Sequence, residues 1–177
     1  MRRLLAALAI SMAALIAIPA EAAGPPDARM GKSARPPHRV PFPKIHDWKT
    51  LNISLVRTMC FGACPSYQVE ILGDGTVTWR GGRDVAVVGD AHSTIPERDV
   101  RALYRAFRKA NFFWLYDSYQ APITDLPTYT VTISYDGHVK AVADYAGTSA
   151  GMPRAVSDLE RLIDKTANTG QWIKPAR

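Results

Sequence analysis

Cys60 and Cys64 are the only cysteines in the 177-residue chain. Three residues separate them, and Gly62 between them permits a tight turn. In an oxidising compartment such a pair most simply closes a structural disulfide. The closed loop is short, so the chain-entropy argument assigns it only roughly 2 kcal/mol of stabilisation. The alternative chemistry is thiol redox or metal handling. Soft thiolates suit Cu(I), and His92 or His138 could supply a third ligand to copper held by Cys60 and Cys64.

The string Cys60-x-x-x-Cys64-Pro65 is similar to the metal-binding string of Sco-type copper-delivery proteins. The surrounding sequence argues the other way. In thioredoxin-like folds a reactive cysteine pair opens a helix, whose N-terminus lowers the thiol pKa. Here Pro65 leads into Tyr67-Gln68-Val69-Glu70-Ile71, an alternating pattern that suits a strand. A structural disulfide is therefore the expectation, with no cofactor, and copper on Cys60, Cys64, His92 and His138 is the alternative.

Other candidates are isolated side chains. Arg57, beside the cysteine turn, could recognise an anion or simply pair with a carboxylate. Asp125 could bind a ligand, serve as a general base, or cap its own loop backbone. Arg57, Tyr67 and Asp125 are taken as the candidate ligand-binding residues. No nucleophile-elbow serine, His-Glu-x-x-His pair, phosphate-binding glycine loop or recurring zinc spacing is present in the sequence. No catalytic residues are assigned, and the reading favours a binding module over an enzyme.

The N-terminus sets the compartment. Arg2 and Arg3 precede an apolar run from Leu4 to Ile18, and Ala20-Glu21-Ala22 follows Pro19. Charged start, short apolar middle and A-x-A end are the parts of a secretory signal peptide over residues 1–22. The run is shorter than the roughly 20 residues a membrane span requires, so no span is expected. The expected location is the periplasm or the exterior, where disulfides persist.

The formal charge of +6 invites a nucleic-acid reading until its distribution is considered. Arg29, Lys32, Arg35, Arg39, Lys44 and Lys49 face only Asp27 and Asp47 between residues 24 and 49. From Thr50 onward the chain is nearly neutral, and export removes it from nucleic acid. Pro25, Pro26, Pro36, Pro37, Pro41 and Pro43 lie in the same stretch. Residues 23–49 therefore read as a flexible basic tail, able at most to touch an anionic envelope surface weakly.

The remaining elements follow from periodicity. Leu51, Ile53 and Leu55 alternate with polar residues as a half-buried strand. Tyr67–Ile71 and Val77–Arg80 flank Gly73-Asp74-Gly75 as a hairpin, and a weaker strand is expected at Asp84–Val88. Thr94-Ile95-Pro96-Glu97 has capping-box spacing before a helix whose apolar face is Val100, Leu103, Tyr104 and Phe107. Phe112–Leu115 is an apolar cluster placed to seal the core. A second hairpin joins Tyr129–Tyr135 to His138–Asp144 through Asp136-Gly137. A final helix over Pro153–Ala167 carries Val156, Leu159 and Ile163 inward. The order β-β-β-(β)-α-β-β-α implies an α+β fold: an antiparallel sheet built from hairpins, with two helices on one face.

Arg57-Thr58-Met59-Cys60-Phe61-Gly62-Ala63-Cys64-Pro65-Ser66-Tyr67, followed by Gly73-Asp74-Gly75, resembles a family of exported bacterial domains of unknown function. The resemblance continues through Val85, Gly89, Phe112-Phe113, Thr124-Asp125 and Leu159-Glu160. It implies one domain over residues 50–173, with 174–177 as a C-terminal tail, and supplies no activity. The combined expectation is an exported, non-enzymatic module for an unknown protein or small ligand, stapled by Cys60–Cys64.

Overall fold

A computed structural model describes residues 41–174. The expected signal peptide at 1–22, the first part of the expected basic tail and residues 175–177 lie outside the described residues. The strands are β1 (Asn52–Arg57), β2 (Tyr67–Leu72), β3 (Thr76–Gly81), β4 (Gly89–Thr94), β5 (Ser118–Gln120), β6 (Tyr129–Tyr135) and β7 (His138–Tyr145). Helix α1 (Glu97–Lys109) precedes β5; α2 (Arg154–Ala167) and the short α3 (Gly170–Ile173) follow β7. The seven strands form one sheet in the order β4-β3-β2-β1-β6-β7-β5. Every pairing is antiparallel except β5 with β7.

Alternation decides which face is covered. Ile53 and Leu55 of β1, Val69 and Ile71 of β2, and Val131 and Ile133 of β6 are fully buried and in register. Val100, Leu103 and Phe107 of α1 and Val156, Leu159 and Ile163 of α2 pack onto that face. The opposite face carries Ser54, Gln68, Glu70, Thr78, Thr130 and Thr132, none of them fully buried. The α+β class and the one-sided helix layer are as the periodicity implied. Among the described residues no helix is long and apolar enough to cross a membrane.

Four local expectations change. Asp84–Val88 is not a strand. The backbone amides of Ala86 and Val87 donate to the Trp172 carbonyl of α3 (both 3.0 Å), and the Val87 carbonyl accepts from the Trp79 indole (3.0 Å). The segment thus satisfies its polar groups away from the sheet. The fourth strand begins at Gly89, at φ 85°, and pairs with β3. Thr94 ends β4 and does not cap α1; Pro96 is the N-cap, and Glu97 instead pairs with Arg101 at 3.1 Å. The helix expected over Pro153–Ala167 is not the final one: Asn168 in the left-handed region ends α2, and Gly170 opens a further short helix, α3.

The fourth change is at the start of the fold. Residues 41–49 do not hang free: Phe42, Ile45 and Trp48 pack on the core. The Tyr104 and Tyr135 hydroxyls donate to the Pro43 carbonyl at 3.2 and 2.9 Å. The Asp136 carboxylate, in the β6–β7 turn, accepts from the Asp47 amide at 3.2 Å and the Thr50 hydroxyl at 2.9 Å. Three large apolar residues at a spacing of three supply enough burial to dock this proline-containing stretch.

Candidate functional site

One end of the sheet carries polar residues where the core should continue. Arg57 ends β1 in phase with Ile53 and Leu55, so its side chain rises on the helix face. Its cross-strand partners are Tyr67 of β2 and Tyr129 of β6, and Tyr129 pairs in turn with Asp144 of β7. Tyr67, Arg57, Tyr129 and Asp144 therefore form a row across four adjacent strands. Helix α2 runs over this row and brings Glu160 and Asp164, one turn apart on its inner side.

Asp164 is the hub of the inner half. Its carboxylate accepts from Arg57 Nη2 at 2.6 Å, the Tyr67 hydroxyl at 2.7 Å and the Thr169 hydroxyl at 2.9 Å. The guanidinium lies over the Tyr129 ring, 4.3 Å from its centroid. Burial pulls the Arg57 pKa down, and Asp164 together with Tyr67, Tyr129 and Glu160 outweighs it, so the net shift is upward. Burial and the neighbouring Asp164 carboxylate drive the Tyr67 hydroxyl far above its ordinary pKa, so it stays a hydrogen-bond donor.

The outer half is a pair of carboxyls. Glu160 is only 5% exposed. Burial, the nearby Asp144 charge and a hydrogen bond to Asp144 push its pKa up to about 8, with Arg57 opposing. Glu160 thus holds a proton at neutral pH and donates it towards Asp144. Asp144 also accepts from the Gly147 amide at 2.6 Å. A Cβ at Gly147 would lie 2.7 Å from that carboxylate oxygen and 2.9 Å from Met152 Sδ, so the close approach requires glycine. Two buried polar atoms here lack a protein partner: Glu160 Oε1 and Arg57 Nε.

An open cavity of about 320 Å³ lies against this pair, lined by Leu126, Tyr129, Asp144, Ser157, Glu160 and Arg161, among others. Leu126 belongs to the 121–128 loop, which is tied to the cysteine loop. The Thr58 amide donates to the Thr128 carbonyl (3.0 Å), the Thr128 amide to the Thr58 hydroxyl (2.8 Å), and the Phe61 amide to the Asp125 carbonyl (3.2 Å). Cys60 and Cys64 are joined in a disulfide, with their Cα atoms 5.6 Å apart. The staple steadies a loop that holds one wall of the cavity. Phe61, 89% exposed, stands at its tip, and Met59, Ile123 and Leu126 are also exposed on the two loops.

Arg57 and Tyr67, two of the three candidates named from sequence, meet on Asp164. Asp125 sits on the neighbouring loop at φ 68°, exposed, and its side chain accepts from the Thr124 hydroxyl at 3.2 Å. The part it plays runs through its backbone carbonyl and not through a carboxylate aimed at the cavity. The alternative copper set does not assemble. His138 pairs with Tyr135 at the far end of β6, six residues from Tyr129, or about 20 Å of strand from the Arg57 end. His92 lies on β4, three strands from β1, and faces away from the helices. The thiols themselves are spent in the disulfide. Among the described residues no three His, Cys, Asp or Glu side chains are grouped to hold a metal ion.

Glu160, Asp164 and Asp144 carry most of the site and were not singled out as site residues from sequence. Val156, Glu160, Ile163 and Ala167 share one helical stripe, so a carboxyl inside an apolar stripe was the available signal. Asp144 likewise follows Val142 in phase on the buried face of β7.

Fold and site together define a two-layer α+β domain with a pocket at one end of its sheet. The chain belongs to the family described as Domain of unknown function (DUF6438), which matches residues 51–167. A search of curated proteins finds no match to this chain.

Proposed function

We propose that this protein is an exported binding module that takes a small ligand in the pocket beside Glu160. The observation that carries the reading is Glu160 itself: a nearly fully buried acid, with an unpartnered oxygen, lining an open cavity. Burying an acid there without full satisfaction costs stability, and a bound ligand would give that group a use. The cavity size falls at the lower end of small-molecule sites, and Leu126 and Pro127 add an apolar wall. The basic segment before residue 41 and the signal sequence would carry the module across the membrane and space it from the envelope.

Backbone-amide chemical shifts, recorded while small-molecule fragments are titrated, test the binding reading. Ligands should move the amides of Tyr129, Asp144, Ser157 and Glu160 together. Shifts confined to other surfaces would remove the pocket from the account. Export is checked by the intact mass of protein recovered from cells, which should lack residues 1–22.

A further inference from the structure

The charges around the pocket do not balance. Arg57 of β1 is matched by Asp164 at 2.6 Å, and Arg161 by Asp158 on the same helix. Tyr67 of β2 adds no charge, because burial and Asp164 hold the proton on its hydroxyl. The charged groups left over are the Asp144 carboxylate of β7 and the Glu160 carboxyl of α2, joined by one proton. The two cations nearest the acidic pair, Arg161 on the pocket lining and Arg57 behind it, are each already paired with another carboxylate, and Glu160 Oε1 has no partner. An anionic ligand would meet Asp144 with no unmatched cation to receive it. A cationic group would instead meet two carboxyl acceptors at the bottom and Leu126, Pro127 and Tyr129 along the wall, where an aliphatic stem can lie.

We propose, building on the binding reading above, that the ligand enters with a primary ammonium or guanidinium group that displaces the proton shared by Glu160 and Asp144. The exchange is balanced: the cation binds, Glu160 becomes a carboxylate, and one proton passes to solvent. Cation binding and proton loss are then linked, and affinity rises with pH until Glu160 is already ionised in the free protein. That linkage gives a slope of about tenfold in affinity per pH unit below about pH 8, flattening above it.

The test is a set of chemical-shift titrations on the full chain between pH 6 and 9. The probes are n-butylamine and agmatine, with butyrate and 1-butanol as anionic and neutral controls of similar size. The expected result is binding by the two cations at the pocket amides, with the stated pH slope. Glu160→Gln should remove the slope and weaken cation binding by about tenfold or more. Should that variant fold poorly, Leu126→Trp, an exposed change at the rim, should block the cations and leave both carboxyls in place. Cation binding with no pH slope would overturn the proton exchange. Binding by butyrate or butanol and not by the amines would overturn the cation assignment while leaving the pocket as a binding site. Silence from all four probes at the pocket amides would count against both readings.

Discussion

Glu160→Gln is the perturbation with the most specific outcome. In the folded chain Glu160 keeps its proton to about pH 8, whereas an unfolded glutamate loses it near 4.3. The folded pKa is raised, so its contribution is fully present below about pH 4.3 and is lost as pH rises towards 8. In that window the folded state binds the extra proton, and stability falls by up to about 1.4 kcal/mol per pH unit. Between pH 5.5 and 7.5 the loss from this one group is about 2–3 kcal/mol. Glutamine matches the shape, offers an N–H to Asp144 and does not titrate, so the variant lacks this term. Urea unfolding of both proteins at pH 5.5, 6.5 and 7.5 reads the effect directly. The variant should gain on the wild type with each step upward, by about 2–3 kcal/mol across the range. Parallel stabilities at all three values would refute the claim that a protonated glutamic acid lies under α2.

Three further outcomes follow from the packing. Tyr67→Phe removes one of three donors from the half-buried Asp164 carboxylate and should cost about 1.5–3 kcal/mol in urea unfolding; no loss would show that Arg57 and Thr169 suffice. Replacing Cys60 and Cys64 together by serine should cost about 2 kcal/mol, and hydrogen exchange should quicken at Phe61 and Thr128 while the β2–β3 hairpin is unchanged. Phe42→Ala should cost about 2–4 kcal/mol, because its ring packs edge-on against Phe113 at 4.9 Å and Tyr104 at 5.8 Å; an unchanged midpoint would return residues 41–49 to the tail.

The hairpins at Tyr67–Arg80 and Tyr129–Asp144 were legible because each pairs strict alternation with a glycine turn. The inner faces of α1 and α2 were legible from helical spacing. Strand β4 was not, since Gly89-Asp90-Ala91-His92-Ser93-Thr94 lies at a sheet edge and has no apolar alternation to read. The valines at 85, 87 and 88 mimicked a strand, but their segment answers to Trp79 and Trp172, contacts that no local pattern encodes. Strand β5 has three residues and pairs in parallel with a strand that comes later in the chain. In the site, Arg57 and Tyr67 stood out beside the cysteine turn. Their shared partner Asp164 lies 107 and 97 residues away, which only the fold reveals. The pairing of Asp144 with Glu160 likewise depends on β7 and α2 meeting over the sheet end.

The central claim, that the pocket is floored by a protonated acid, is tested most directly by following the side-chain carboxyl carbon of Glu160 in glutamate-labelled protein across pH. The account predicts a midpoint near 8, shifted downward when Asp144 is replaced by asparagine, because the like charge that helps hold the proton is gone. A midpoint near 4.3, unmoved by that replacement, would contradict it.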